Sequence, residues 1–141
     1  MDAQQFIKTI LPSSGTHCVT LMLADKNVRK QVVPYGDIAS YGQNSADSVK
    51  NPSGWYAAFT SLGSLSQGWY KDEATGKTRL NTAKNTAELK TLFLDIDVGL
   101  NGYETDIDAM ADLFTFCGAL NLPEPLIVGT GGGIHGYLPF Y

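Results

Sequence analysis

Residues 92–98 have the sequence Leu-Phe-Leu-Asp-Ile-Asp-Val, in which bulky apolar side chains surround two aspartates. This composition predicts a β-strand in the core of the protein. Side chains two residues apart on a strand lie on the same face, with their backbones about 6.5–7 Å apart. Asp95 and Asp97 are therefore predicted to face the same side, where their like charges repel unless a cation lies between them.

The aspartate pair has two interpretations. A divalent ion bridging both carboxylates would offset their repulsion, and hard oxygen ligands favour Mg²⁺ or Mn²⁺. Alternatively, Asp95 and Asp97 lie at the end of the strand and point to water without binding metal. Nearby Asp106, Asp108 and Asp112 are better explained as charges at the start and on the surface of the following helix.

A second motif, Thr-Gly-Gly-Gly-Ile-His-Gly, occupies residues 130–136. Three consecutive glycines between strands let backbone N–H groups converge on an anion, and they permit close approach of a bulky ligand. The motif is not a Walker phosphate loop, because no lysine follows the glycines and no helix is predicted there. A lone strand histidine is more often structural, but this context makes His135 a candidate functional residue. His17 lacks such a context and is expected to be structural or exposed.

Hydrophobic patterns along the chain predict an α+β fold with a mixed, antiparallel-rich sheet and flanking helices. One helix is predicted at residues 2–11, with Asp2 near its N-cap and Pro12 after its end. Another is predicted at residues 105–119, capped by Thr105. The second helix is predicted to bury Ile107, Met110, Ala111, Phe114 and Cys117.

The remaining elements follow from β-rich runs and turn signals. Residues 17–23 and 28–33 are predicted to form a hairpin around a polar turn at residues 24–27. Further strands are predicted at residues 55–59, 126–128 and 134–140, and the first of these is predicted to be buried. Two polar stretches are predicted to be loops, residues 36–54 and 61–86.

Length and composition favour one domain. The chain has 141 residues, of which 43% are hydrophobic and 17% are charged, values typical of a single folded domain. We expect one domain, 1–141, with an N-terminal αβ module at 1–87 and a motif-bearing module at 88–141. No apolar run is long enough to span a membrane, and no secretory signal is evident. Cys18 and Cys117 form neither a disulfide scaffold nor a zinc cluster, so a reducing cytoplasm is the expected location.

Charge is distributed unevenly along the chain. Residues 1–90 contain all ten basic side chains and seven of the fourteen acids, a net charge of +3, whereas residues 91–141 contain seven acids and no Lys or Arg, a net charge of −7. Such a region is suited to metal ions, although a solvated acidic surface explains it equally well. The total of −4 argues against tight nucleic-acid binding by this chain alone, because that binding depends on neutralising phosphates.

The two motifs together resemble the archaeo-eukaryotic primase superfamily, in the form found in phage and plasmid primase-polymerases. Asp95-Ile-Asp97 resembles the Asp-x-Asp motif that the superfamily carries on a strand. Residues 130–135 resemble its Ser-Gly-Gly-Gly-x-His motif, with Thr130 in place of Ser. The resemblance covers roughly residues 88–140, and residues 1–87 contribute no motif.

This resemblance implies an RRM-like primase core and template-directed nucleotidyl transfer in DNA replication, as primer synthesis, DNA polymerisation or both. In such enzymes the aspartate pair, here Asp95 and Asp97, holds two divalent metals, Mg²⁺ or Mn²⁺. The histidine, here His135, contacts the phosphates of the incoming nucleotide. The implied nucleotide-binding set is Thr130, Gly131, Gly132, Gly133 and His135.

The resemblance also implies partners and a location. The partners are nucleoside triphosphates, a single-stranded DNA template, and a replicative helicase or a C-terminal remainder of the same protein, with no membrane. The location is the cytoplasm of a bacterial or phage-infected host cell.

One departure from the superfamily concerns a third metal-binding aspartate, which lies on a strand after the histidine motif. No acidic residue follows Glu124 in this sequence. We therefore expect an incomplete catalytic core, with little polymerase activity from this chain alone. Two alternatives remain: a non-catalytic protein that retains the primase fold and binds nucleotide or nucleic acid, and a metal-dependent nuclease or phosphotransferase that uses the same aspartates.

Overall fold

The computed structural model describes residues 1–23, 27–43, 55–100 and 102–140. These residues form helices and antiparallel sheets, which confirms an α+β fold. The chain divides into two compact units, unit 1 at Met1–Leu89 and unit 2 at Lys90–Tyr141. The boundary expected from the sequence lies two residues earlier, between residues 87 and 88.

Unit 1 begins with helix α1 (Ala3–Ile10), close to the predicted bounds. The Asp2 carboxylate accepts a hydrogen bond from the backbone N–H of Gln5 at 2.8 Å, and the Gln5 side chain accepts one from the backbone N–H of Asp2 at 3.2 Å. This reciprocal pair is a capping box, which satisfies two backbone donors that the helix cannot. Ile10 is buried at the last turn, so local capping and one apolar side chain together fix the helix.

The sheet of unit 1 is organised around its first strand. β1 pairs antiparallel with β2 and β3 and contacts β4, which in turn pairs with β7, while β5 and β6 form a separate hairpin. The β1–β2 hairpin confirms the sequence prediction, although most of its predicted turn lies outside the described residues. The strands are β1 (Thr16–Leu23), β2 (Val28–Pro34), β3 (Trp55–Thr60), β4 (Gly63–Leu65), β5 (Tyr70–Lys71), β6 (Thr78–Arg79) and β7 (Thr86–Leu89).

The predicted loop at residues 61–86 is wrong, because it contains β4, β5, β6 and the start of β7. These strands have two to four residues each, too few for an alternating pattern to show in the sequence. Asn85 organises the segment from a buried position. Its amide nitrogen donates to the carbonyl oxygens of Leu80 at 2.8 Å and Gln67 at 3.1 Å. Bonds of this kind between distant residues leave no local signal.

Two further predictions in unit 1 need correction. Residues 38–43 of the predicted loop at 36–54 are helical, whereas residues 44–54 lie outside the described part of the chain. Strand β3 was predicted to be buried, but its Phe59 side chain is exposed. The apolar composition of this strand predicted its conformation correctly and its burial wrongly.

Unit 2 is a three-stranded antiparallel sheet with a helix on one face. It contains β8 (Thr91–Asp97), α2 (Asp106–Ala119), β9 (Leu126–Gly129) and β10 (Gly133–Pro139). The strand order is β8-β10-β9, so β10 is central. The core is formed by Ala109, Leu113 and Cys117 of α2 against Ile134 and Leu138 of β10.

Because side chains alternate along a strand, the residues between those core positions lie on the other face of the sheet. We call this second surface the aspartate face. It carries Phe93, Asp95 and Asp97 from β8, Leu126 and Val128 from β9, and His135 and Tyr137 from β10.

The prediction that residues 92–98 form a core strand is wrong in one respect. The strand exists, but β8 is an outer strand of the described sheet, and its Phe93 side chain is 39% exposed. Of these residues, Leu94, Ile96 and Val98 pack against the core under α2. Apolar composition therefore predicted a strand but could not show that a single helix covers just one of its faces.

Helix α2 has the predicted N-cap but a different buried face. Thr105 accepts a hydrogen bond from the backbone N–H of Asp108 at 3.2 Å, which confirms the cap. Of the residues predicted to be buried, Cys117 is buried and Met110 packs beside the core, but Ile107 is 72% exposed and Phe114 is 42% exposed. Apolar residues lie on more than one side of α2, so helical periodicity alone predicted the wrong buried face for this helix. No helix among the described residues is long and apolar enough to cross a membrane.

Candidate functional site

Strand pairing places Asp95 directly opposite His135 on the aspartate face. The two residues are register partners in the β8–β10 ladder, and 3.4 Å separates Asp95 Oδ1 from His135 Nε2. His135 therefore lies on the same side of the sheet as Asp95. The Asp95 side chain is 63% exposed, so solvent and ligands can reach its carboxylate. When the imidazole is protonated, the contact is an ion pair.

Asp97 lies two residues after Asp95 on the same face, at the end of β8 and opposite Gly133. An open cleft of about 410 Å³ is lined by Asp95, Ile96, Asp97, Gly102 and Tyr103. The backbone N–H of Tyr103 donates to the Asp97 carbonyl oxygen at 3.0 Å, which brings the loop after β8 back to the strand end. Both predicted metal-binding aspartates therefore line one cleft.

Helix α2 contacts the lining of this cleft through a hydrogen bond between Asp112 and Tyr103. The pKa of the Tyr103 hydroxyl is raised, mainly by its hydrogen bond with the Asp112 carboxylate and to a smaller extent by burial. The phenol therefore stays protonated and donates to Asp112 over the physiological range. Asp112 of α2 is thus a structural partner of the loop after β8.

The glycine turn connects β9 to β10 beside the end of β8. The Thr130 backbone N–H and hydroxyl both donate to the Gly133 carbonyl oxygen, at 2.9 and 3.0 Å. Gly131 has a φ of +86°, a conformation that favours glycine. A Cβ at Gly133 would lie 2.2 Å from the Ile96 carbonyl oxygen, so no side chain fits there.

These contacts give Thr130, Gly131 and Gly133 a role in folding the turn. A further hydrogen bond, from Val98 N–H to the Gly132 carbonyl oxygen at 3.1 Å, holds the turn against the end of β8. The predicted role of these residues in nucleotide binding stays a prediction. The turn does lie at the Asp97 end of the aspartate face, as that role requires.

Two aromatic residues of this face were missed by the sequence analysis. The Phe93 ring meets the His135 ring edge-on at a centroid distance of 4.9 Å, and it lies 5.3 Å from the Tyr137 ring. The Tyr137 hydroxyl is 3.4 Å from His135 Nδ1. Phe93 is two residues before Asp95, and Tyr137 is two residues after His135. The alternation rule that placed the aspartates together would have found both rings.

Burial, and then the negative charge of Asp95, raises the pKa of Tyr137. Its hydroxyl is therefore a protonated donor at neutral pH. Donation from this hydroxyl to His135 Nδ1 would leave Nε2 of a neutral imidazole carrying the hydrogen that faces Asp95. The three side chains thus form a polar row across β10 and β8.

The described residues contain no group of three or more His, Cys, Asp or Glu side chains close enough to hold a metal ion together. A divalent ion at Asp95 and Asp97 would therefore need other oxygen ligands, because Mg²⁺ takes about six in octahedral geometry. Water and nucleotide phosphates are ligands of that kind. Binding of Mg²⁺ or Mn²⁺ at this pair stays a prediction.

The remaining histidine and both cysteines are explained by the folds of their own units. His17 is fully buried in unit 1, and its Nε2 lies 3.2 Å from the Pro12 carbonyl oxygen, which is a structural role. Cys18 and Cys117 are free and buried, and burial raises the pKa of the Cys18 thiol. The prediction that Cys117 belongs to the core is confirmed.

No protein-family model, no curated protein and no solved structure matches this chain.

Proposed function

We propose that the aspartate face binds a nucleoside triphosphate together with Mg²⁺ or Mn²⁺, as the nucleotide site of a primase-polymerase type nucleotidyltransferase with an RRM-like core. The observation that carries the proposal is the opposition of Asp95 and His135 at 3.4 Å, with Asp97 and the glycine turn at the same end of the sheet. An acidic pair from β8, an imidazole from β10 and the glycine-rich β9–β10 turn thus lie on one face of the sheet.

Each component has a distinct chemical role in this proposal. Asp95 and Asp97 hold the metal, whose chemistry is to stabilise charge on the attacking and leaving oxygens of phosphoryl transfer. His135 donates a hydrogen bond from Nε2 to a phosphate oxygen. The turn at Gly131–Gly133 permits close approach of the triphosphate, since bare backbone offers no side chain to exclude it.

The charge of unit 2 supports a metal-dependent ligand over a bare anion. Unit 2 contains seven acidic residues and one basic residue, Lys90. A free triphosphate would be repelled by Asp95 and Asp97, whereas its complex with a divalent cation would be attracted by them. In this proposal the further partners are a single-stranded DNA template and a replicative helicase or C-terminal remainder, in the cytoplasm of a bacterial or phage-infected cell.

A second candidate is a non-catalytic nucleotide-binding protein with the same fold. It is favoured by the finding that no three metal-ligating side chains of the described residues come together. Both candidates require metal-dependent nucleotide binding at Asp95 and Asp97, and they differ in whether primer extension follows.

Calorimetric titration tests the shared requirement. The whole chain is titrated with ATP in the presence and absence of Mn²⁺, and the titrations are repeated with Asp95→Asn and Glu124→Gln. Glu124 is an exposed acid of the same unit that precedes β9, so its variant removes the same charge without altering Asp95, Asp97 or His135. We expect binding only with Mn²⁺, loss of at least about tenfold in affinity for Asp95→Asn, and unchanged affinity for Glu124→Gln. Equal affinity in all three proteins would contradict the proposal.

A further inference from the structure

The aromatic side of the aspartate face offers a surface that the triphosphate chemistry does not use. Phe93 lies two residues before Asp95 on β8, and Tyr137 lies two residues after His135 on β10, so the two rings occupy the neighbouring position on the same face. They are 5.3 Å apart at their centroids and tilted by 50°. Phe93 is 39% exposed, which leaves part of its ring accessible to a ligand.

We propose that Phe93 and Tyr137 form a stacking surface for the base of the bound nucleotide, an inference that rests on the proposed function. The order of groups along the sheet supports this assignment. The glycine turn and Asp97 come first, Asp95 and His135 next, and Phe93 and Tyr137 last. A nucleoside triphosphate has its outer phosphates at one end and its base at the other. Phosphates at the aspartates therefore direct the base toward the aromatic pair.

The neighbours of the two rings suit a flat apolar ligand. Leu126 is the register partner of Tyr137, and Val128 is the register partner of His135, so β9 extends the apolar surface beyond β10. Aromatic rings stack on bases of any sequence because every base has a π-face. The surface would consequently favour a base without selecting which one.

The negative charge of unit 2 favours a single nucleotide over a nucleic-acid strand as the ligand of this surface. The unit has seven acids against Lys90, and Asp95 and Asp97 lie on the same face as the rings. A strand would bring several uncompensated phosphates onto this surface, which costs affinity. A nucleotide bound through a metal brings its base without that repulsion.

The experiment compares two ligands and two pairs of variants by calorimetry in Mn²⁺. The ligands are ATP and inorganic triphosphate, which lacks the base. Phe93→Leu removes a ring from the aspartate face, and Phe114→Leu removes one of similar exposure from α2. Tyr137→Leu removes the second ring, whereas Tyr137→Phe keeps it. Far-ultraviolet circular dichroism checks that each variant is folded.

We expect Phe93→Leu to weaken ATP binding roughly five- to hundredfold and to leave triphosphate binding unchanged, and we expect Phe114→Leu to weaken neither. Both Tyr137 variants lose the hydroxyl that contacts His135. We therefore expect Tyr137→Leu to bind ATP more weakly than Tyr137→Phe by a similar factor, and the two variants to bind triphosphate equally. Equal loss for both ligands in Phe93→Leu would overturn the inference, because the ring would then act through His135. Unchanged ATP binding in Phe93→Leu would also overturn it. Failure of the wild-type chain to bind either ligand would overturn the proposed function and this inference together.

Discussion

Asp95 and His135 occupy opposed positions on neighbouring antiparallel strands, with 3.4 Å between Oδ1 and Nε2. They lie 40 positions apart in the sequence, and no local interaction could bring them together. The register of the β8–β10 ladder does so, because it pairs Gly133 with Asp97 and every following residue in step. A shift of one residue would move His135 to the helix-covered face. The site therefore depends on the same contacts that hold the sheet.

Replacing His135 by alanine tests its assigned contact with phosphate. We expect Mn²⁺-dependent binding of ATP and of inorganic triphosphate to weaken by the same factor, roughly tenfold or more, since a hydrogen bond to a charged group is lost. Calorimetry with both ligands measures the effect. Selective loss of ATP binding would instead place His135 at the base and contradict the assignment.

Replacing Gly133 by alanine should destabilise unit 2. The added Cβ would lie 2.2 Å from the Ile96 carbonyl oxygen, and backbone cannot move aside without disturbing the ladder. We expect a loss of about 1–3 kcal/mol in the free energy of unfolding. Gly132→Ala is the matched control, because nothing lies within 4 Å of its added Cβ. Urea denaturation followed by circular dichroism compares them, and equal midpoints would show that the turn relaxes freely.

Removing the cap of α2 should loosen that helix locally. Thr105→Ala eliminates the hydroxyl that accepts from the Asp108 N–H at 3.2 Å, at a cost of about 1 kcal/mol. Thr105→Ser retains the acceptor and should retain the stability. Amide hydrogen exchange in α2 should accelerate about fivefold in the alanine variant. Identical exchange rates in the two variants would show that the cap contributes nothing.

The pKa of Tyr137 predicts how its contribution to stability varies with pH. Burial and the Asp95 charge raise this pKa above its usual value of about 10, so the folded state retains the phenol proton longer than the unfolded state does. The contribution is complete below pH about 10 and is lost as the pH rises through the folded-state value. The difference in unfolding free energy between wild type and Tyr137→Phe should therefore fall above pH about 10. A difference that stayed constant across this range would argue against the raised pKa.

The carboxylate count predicts weak catalysis by this chain. The aspartate face supplies Asp95 and Asp97, and no third metal-ligating group joins them among the described residues. Two divalent ions would be under-coordinated, and mispositioning of about 1 Å can cost about a hundredfold in rate. We expect little or no primer extension in Mn²⁺, alongside measurable nucleotide binding. Robust extension abolished by Asp95→Ala would show that two carboxylates suffice.

Sequence patterns predicted the elements that depend on neighbouring residues. The capping box of α1, the Thr105 cap and the β1–β2 hairpin each rest on contacts that local sequence encodes. Strand alternation correctly placed Asp95 and Asp97 on one face of β8, whereas the position of His135 opposite Asp95 follows from the β8–β10 register. The RRM-like arrangement and the chemistry of the site remain predictions.

Features that depend on tertiary pairing were not predictable in the same way. Apolar residues on β8 indicated a strand, but the exposure of Phe93 follows from the outer position of β8 in the sheet. Strand β4 is held by pairing with β7, and buried Asn85 donates to the carbonyl oxygens of Gln67 and Leu80. Neither contact is encoded by a local pattern in the sequence. In α2, apolar side chains lie on several sides of the helix, so the sequence alone does not show which side is buried. The structure shows that the buried side is the one on which Leu113 packs with Ile134 and Leu138.

The central position of β10 also determines when the sheet of unit 2 can form during translation. β8 and β9 both pair with β10, which the ribosome makes last of the three. The chain from the end of β8 to the end of β10 takes roughly 2–8 s to synthesise. Until β10 is made, β8 lacks its ladder partner, and an unpaired apolar strand is a hazard for association between chains once it leaves the ribosome. Asp95 and Asp97 interrupt that strand with charge, so the residues assigned to the ligand would also keep the nascent chain soluble.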